Sequence, residues 1–256
     1  MYAEERQHDI VTLARGLGRV AVADLAVRFG VTPETIRRDL DALAARGLLS
    51  RVHGGAVPSD KLWLAEAPVG QREATSQDEK LAIAAHAVSL LPQRDELTVL
   101  LDAGTTTAKL SALLPAWVST VVTNSVPTAG ALADRGDVEV LLLGGQVRGL
   151  TQATVGAEAH AALARLRVDV AFLGANGFSA EHGFSTPDPA EAAVKQAMVR
   201  AAREVYVLAD ATKFGADYLV RFAELGDVDA LVTDARLAQA SRAALEALEL
   251  RVDVVA

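Results

Sequence analysis

Apolar residues between positions 22 and 43 recur with helical spacing and are interrupted once. Val22, Leu25 and Ala26, extended by Phe29, give one face of a short helix that Gly30 ends. Thr32 is a favourable N-cap, Pro33 suits the first helical position, and Glu34 places negative charge where the helix dipole favours it. Ile36, Leu40 and Leu43 then recur at i, i+4 and i+7, which predicts a second helix closed by Gly47. Two short runs, 48–51 and 53–57, flank Gly54-Gly55 and predict a hairpin. The pattern changes at position 76. Ser76 and Glu79 have capping-box spacing, and Leu81, Ala84, Ala85 and Val88 predict a helix to about Leu91. Strand-like runs follow at 97–102, 120–123, 138–143, 168–173, 205–209, 229–232 and 250–255. Helical stretches at 106–114, 126–133, 157–166, 189–202 and 237–248 lie between most of them. Several strands are apolar at nearly every position, as expected when both faces are covered. The expected architecture is a small winged helix-turn-helix domain followed by an α/β domain with a mostly parallel sheet and helices on both faces.

Length and composition turn this pattern into a two-domain expectation: residues 1–57, a linker at 58–75 and a larger domain at 76–256. The linker has two prolines and no sustained periodicity, and Trp63 and Leu64 are expected to pack on one domain. Half of the 256 residues are apolar, yet no uninterrupted run is long enough to span a membrane. No basic region followed by an apolar stretch opens the chain, so no signal peptide is expected and the protein reads as cytoplasmic. Without cysteine there is no disulfide framework, thiolate zinc site or thiol nucleophile, and neither metal nor cofactor is expected.

The net charge of −8 divides unevenly. Residues 1–57 hold 8 Lys/Arg and 7 Asp/Glu, a net of +1, and the remainder carries −9. Arginines 37, 38 and 51 make a local basic footprint on the small domain. The polar face of the second helix carries Thr35, Arg37 and Arg38 near its N-terminus, where a recognition helix presents side chains to base edges in the major groove. Thr32 and Glu34 belong to the same end, and Arg51 and His53 on the hairpin reach a phosphate or the minor groove. One such module neutralises few phosphates, so two or more acting together are expected, in a dimer or tetramer.

In open α/β sheets ligands sit beyond the carboxyl ends of strands, and polar motifs fall there. Asp102-Ala103-Gly104-Thr105-Thr106-Thr107 follows the run 97–101, with a tight turn and three hydroxyls at a helix start, in outline a phosphate cradle. An ordinary N-cap is the plainer alternative. Thr123-Asn124-Ser125 repeats the placement, and capping competes there too. Gly144-Gly145 with Arg148 allows close backbone approach and bidentate clasping of a phosphate. Gly174-Ala175-Asn176-Gly177 ends another strand. Asp188 precedes Glu191 and Lys195, whose i, i+4 spacing also fits a helix-surface pair. Asp210 and Lys213 end the set, with the lysine as a point charge on an anion.

The N-terminal stretch resembles the DeoR/GlpR family of bacterial transcription regulators. The matching residues are Glu5-Arg6, Leu25-Ala26, Phe29-Gly30-Val31, Thr35-Ile36-Arg37-Arg38-Asp39-Leu40 and Arg51-Val52-His53-Gly54-Gly55-Ala56. Arg72-Glu73 fits the family pattern, and the strand-end motifs match its effector domain from Glu79-Lys80 to Thr233-Asp234. The resemblance implies a fold related to sugar-phosphate isomerases and a phosphorylated-sugar effector, with the 102–107 loop on the phosphate and Lys213 at a motif lysine. Thr151–Gly156, Gly174–Phe178 and Ser185–Asp188 look like the actinobacterial fructose-operon repressor type, which suggests fructose 1-phosphate.

Three readings remain open on the sequence. The first is a regulator, a repressor of a sugar-catabolism operon, that binds double-stranded operator DNA and is released by a phosphorylated sugar. The second is a sugar-phosphate isomerase or deaminase carrying a DNA-binding domain; against it, His160 and His182 lie outside the strand-end motifs and no acid/base set stands out. The third is a structural DNA binder without ligand, against which the polar strand-end loops argue.

Overall fold

The computed structural model describes residues 3–17, 20–52, 54–58 and 68–256. Two compact units emerge, 1–67 and 68–256. The first contains α1 (Ala3–Leu17), β1 (Val20–Ala21), α2 (Val22–Phe29), α3 (Pro33–Ala45), β2 (Leu49–Val52) and β3 (Gly55–Pro58). Gly30 adopts φ 63° and closes α2 with its N–H on the carbonyls of Ala26 and Val27. Thr32 caps α3 by accepting from the Thr35 N–H at 3.2 Å, with Pro33 in the first turn. Ile10, Leu25, Ile36, Leu40, Leu43 and Leu49 are the large side chains of the core that joins the three helices. β2 and β3 pair antiparallel, with Arg51 opposite Ala56, and β1 adds a third strand on β3. An inward-facing ion pair ties α1 to α3: Arg6 Nε lies 2.6 Å from Asp39 Oδ2, and Gln7 Nε2 donates to Asp39 Oδ1 at 3.0 Å. Asp39, inside the motif that carries Arg37 and Arg38, therefore belongs to the interior.

The second unit opens with α4 (Val69–Glu73) and α5 (Gln77–Ser89). Alternation follows: β4 (Leu97–Leu101), α6 (Thr105–Leu113), β5 (Val118–Thr123), α7 (Val126–Ala133), β6 (Glu139–Leu142), β7 (Gln146–Arg148), β8 (Ala153–Val155), α8 (Ala157–Leu163) and β9 (Val168–Gly174). The chain continues through β10 (Gly177–Ser179), β11 (Gly183–Thr186), α9 (Pro189–Ala201), β12 (Ala202–Leu208), β13 (Val220–Ala223), β14 (Ala230–Asp234), α10 (Gln239–Glu246) and β15 (Arg251–Val255). Seven strands make one sheet in the order β15-β14-β12-β9-β4-β5-β6, and every pairing in it is parallel. All seven expected strands are in this sheet.

Strand alternation sends side chains into two layers. Val99, Leu101, Val170, Phe172, Tyr206 and Leu208 face Ile83 and Ala84 of α5, Leu110 of α6 and Leu132 of α7. Leu100, Ala171, Leu173, Val205 and Val207 face α8, α9 and α10 through Leu163, Met198 and Leu245. Among the described residues no helix is long and apolar enough to cross a membrane.

The 76–79 capping box does not form. Ser76 has φ 50° and accepts no cap hydrogen bond; its Oγ lies 3.3 Å from Arg236 Nη2 instead. The short antiparallel pairs β7–β8 and β10–β11–β13 were not expected from the apolar pattern.

Candidate functional site

On the first unit, Thr32, Glu34, Arg37 and Arg38 are exposed at the N-terminal end of α3, and Thr35 is half-buried beside them. Thr32 and Thr35 hydroxyls lie 2.9 Å apart, and Glu34 Oε2 pairs with Arg37 Nη1 at 3.1 Å. Arg38 has no ion-pair partner among the described residues. Arg51 on β2 reaches Asp41 Oδ1 at 3.1 Å. Exposed pairs of this kind contribute little and exchange readily for a phosphate. His53 lies outside the described residues, as do Trp63 and Leu64.

In the second unit the strand order reverses between β4 and β9. From β4 the chain proceeds outward through β5 to β6; it then returns to β9 on the other side of β4 and proceeds outward through β12, β14 and β15. Such a switch point leaves a crevice beyond the carboxyl ends of the strands. An open cleft of about 530 Å³ lies there, walled by the ends of β4, β9 and β12, the start of α6, and residues of α4, α5 and α9. A smaller chamber, open to solvent and about 190 Å³ when that open space is included, adjoins it.

The cleft floor is polar and buried. Asp102, 1% exposed, bridges the two central strands by accepting from the Gly174 N–H at 3.0 Å. Its Oδ2 also holds Lys195 Nζ, which donates to the Gly174 carbonyl at 2.9 Å. Glu191 accepts from Thr151 Oγ1 and from Arg148 Nη1. Asp210 holds the Thr212 backbone and hydroxyl.

The other end of the cleft is cationic. Arg72, Lys80 and Lys213 line it beside Gly104, Thr105 and Thr106. Lys80 is buried, with its ammonium donating to the carbonyls of Arg72 and, at 2.7 Å, Thr75. Burial above all, then the charges of Lys213 and Arg72, hold the Lys80 pKa below its ordinary value, against the pull of Asp210. Burial and then Arg72 do the same to Lys213, again opposed by Asp210. The Nε and Nη2 groups of Arg72 are buried and have no hydrogen-bond partner. Crowded cations with unmet donors at the start of a helix suit an anion chemically.

Among the residues singled out from sequence, Asp102, Gly104, Thr105, Thr106, Asn176 and Lys213 line the cleft, and Asn124 lines the adjoining chamber. Thr107 is fully buried, and its hydroxyl donates toward Asp102, 2.9 Å from the carbonyl and 3.0 Å from Oδ1. Gly145 lies against β8: at φ 128°, a side chain there would collide with the Val155 carbonyl. Arg148 pairs with Asp188 at 3.1 Å and with Glu191, while Asp188 caps α9 through the Glu191 N–H at 2.9 Å. None of Thr107, Gly145, Arg148 and Asp188 lines the cleft. Glu191 and Lys195 are not a surface pair; both are buried, and Lys195 pairs with Asp102. Glu191, Lys195 and Asp210 of the strand-end motifs also line the cleft, and Arg72 and Lys80 join the wall from outside those motifs. Among the described residues no cluster is placed to hold a metal ion.

A winged helix-turn-helix unit and an α/β unit with a cation-lined cleft at its switch point define a class: regulators of transcription that read DNA with one part and a small molecule with the other. Residues 6–61 match the family profile described as DeoR-like helix-turn-helix domain, and residues 75–235 match that described as DeoR C terminal sensor domain. The chain belongs to the DeoR family of DNA-binding transcriptional regulators. It is 39% identical over 236 residues to the uncharacterized HTH-type transcriptional regulator FruR of Bacillus subtilis (strain 168), covering 92% of each chain. It is 36% identical to the HTH-type transcriptional regulator GlpR of Haloferax volcanii, over 98% of each. With the glycerol-3-phosphate regulon repressor of Escherichia coli (strain K12) it shares 32% identity over 92% of each. Among solved structures, a D-ribose-5-phosphate isomerase in complex with phospho-erythronic acid matches 54% of each chain at 19% identity, with a TM-score of 0.37.

Proposed function

We propose that the protein is a cytoplasmic repressor of a sugar-catabolism operon, bound to operator DNA as a homo-oligomer and released by a phosphorylated sugar. Arg37 and Arg38 on α3 read the operator, with Thr32, Glu34, Thr35, Arg51 and His53 around them. The phosphate sits on Arg72, Lys80 and Lys213, against Gly104 to Thr106 at the start of α6. Asp102, Asn124 and Asn176 hold hydroxyls. The observation that carries this reading is the half-buried Arg72, whose buried Nε and Nη2 are unmet beside two lysines whose pKa values burial lowers. The relatives support the physiology: one is named a glycerol-3-phosphate regulon repressor and another a putative aga operon transcriptional repressor. Fructose 1-phosphate is the effector to try first, on the resemblance of Thr151–Gly156, Gly174–Phe178 and Ser185–Asp188 to the fructose-operon repressor type.

Electrophoretic mobility shift on DNA upstream of the gene, with a panel of sugar phosphates, tests the proposal. The wild type should release the fragment with at least one sugar phosphate, and Arg72→Ala should hold it at the same ligand concentration. Release of the Arg72→Ala protein at an unchanged concentration would place the phosphate elsewhere.

A further inference from the structure

The cleft and the small chamber share one wall, formed by Asp102, Ala103, Glu191 and Lys195. Their far ends differ in kind. At the cleft end the unmet groups are donors, Nε and Nη2 of Arg72. In the chamber the unmet group is an acceptor, Oδ1 of Asn124, on a side chain 5% exposed. The amide cannot be turned over without loss, because Nδ2 donates to the Thr154 carbonyl at 3.2 Å. A flipped Asn124 would set its oxygen against that carbonyl and leave Nδ2 unmet.

The chamber is hostile to a second anion. Two carboxylates line it, Asp102 and Glu191, and its one cationic wall residue, Lys195, is engaged by Asp102. A hydroxyl meets what the chamber lacks, a donor for Asn124, and carries no charge against the carboxylates.

We propose that this chamber is a hydroxyl subsite. Asn124 Oδ1 accepts a hydrogen bond from the effector at the end remote from its phosphate, and the effector is a sugar monophosphate whose remote end is uncharged. Sugar bisphosphates and phosphorylated sugar acids are rejected. This rests on the reading of Arg72, Lys80 and Lys213 as the phosphate seat; Asn124 is then a residue that determines specificity.

Calorimetry on the full chain tests it with five probes: inorganic phosphate, fructose 1-phosphate, fructose 1,6-bisphosphate, glucose 6-phosphate and 6-phosphogluconate. In the wild type at least one monophosphate should bind more tightly than inorganic phosphate, and about tenfold or more tightly than its doubly anionic counterpart. Asn124→Ala should weaken that monophosphate by about tenfold while leaving inorganic phosphate unchanged. Should Asn124→Ala fail to fold, the comparison of each monophosphate with its counterpart in the wild type decides alone. A bisphosphate or sugar acid that binds as tightly as its monophosphate overturns the proposal, and so does full monophosphate affinity in a folded Asn124→Ala protein. Arg72→Ala separates the two layers. If inorganic phosphate affinity survives that change, or no probe binds the wild type, the phosphate seat itself is wrong and the subsite falls with it.

Discussion

Replacing Arg72 by methionine should make the unliganded protein more stable and the liganded protein less so. Arg72 carries two buried N–H groups with no partner, beside Lys80 and Lys213, whose pKa values its charge helps to lower. A buried polar group left unmet costs about 1–3 kcal/mol. The residue is only half-buried in an open cleft, so the lower part of that range applies to the pair. Methionine keeps the apolar stem, removes the unmet donors and relieves the repulsion. The expected gain is about 1 kcal/mol, which raises the melting temperature of a unit this size by about 2–4 °C. Phosphate binding changes in the opposite direction. Hydrogen bonds to charged groups contribute about 1.5–3 kcal/mol, so affinity should fall by about ten- to a hundredfold. Thermal melts with and without a sugar phosphate that binds the wild type read both effects. A less stable Arg72→Met protein, or one that the ligand stabilises as much as wild type, would refute the reasoning.

The lysines make a second prediction. Burial lowers the pKa of Lys80 and Lys213 from 10.5, so between the lowered values and 10.5 the folded chain holds fewer protons than the unfolded one. Unliganded stability should therefore rise with pH through that window, while phosphate affinity falls as the ammonium groups are lost, both measurable by melts and calorimetry at constant ionic strength. Arg37→Ala or Arg38→Ala should weaken operator binding, with the base-contacting arginine costing about 1–3 kcal/mol in fluorescence anisotropy; wild-type affinity in both variants would contradict the recognition-helix assignment. Asp39→Ala leaves Arg6 buried and unpaired and should destabilise the first unit by about 3–5 kcal/mol, seen as lost operator binding with sugar-phosphate affinity retained. Thr106→Glu puts a carboxylate at the start of α6 and should abolish the ligand response while operator affinity stays at the wild-type value. A normal response from that variant would move the phosphate off the loop.

The large sheet was legible because its strands are parallel and covered on both faces, which writes them as apolar runs such as 97–101 and 168–173. β7, β8, β10, β11 and β13 are three or four residues long and contain glycine, threonine and arginine, so no run announces them. The lining of the proposed anion seat was half legible. Gly104 to Thr106 stand at the end of a clear strand, but Arg72 lies in the proline-containing stretch that reads as a linker. Only the fold of α4 brings it to the cleft. Lys195 carried an unused signal. It sits one turn after Glu191 and three residues before Met198, within the stripe of α9 that packs on the sheet, where a surface lysine has no place. Ser76 and Glu79 show the converse: capping-box spacing is local, and Arg236, 160 positions later in the chain, takes both side chains.

The central claim is that one molecule couples operator and sugar phosphate, and coupling between two ligands is reciprocal. The most direct measurement is a pair of titrations on the full chain: operator affinity by fluorescence anisotropy with and without saturating sugar phosphate, and sugar-phosphate affinity by calorimetry with and without saturating operator. The account predicts that each ligand weakens the other by the same factor, about tenfold or more. A sugar phosphate that binds tightly yet leaves operator affinity unchanged would contradict it.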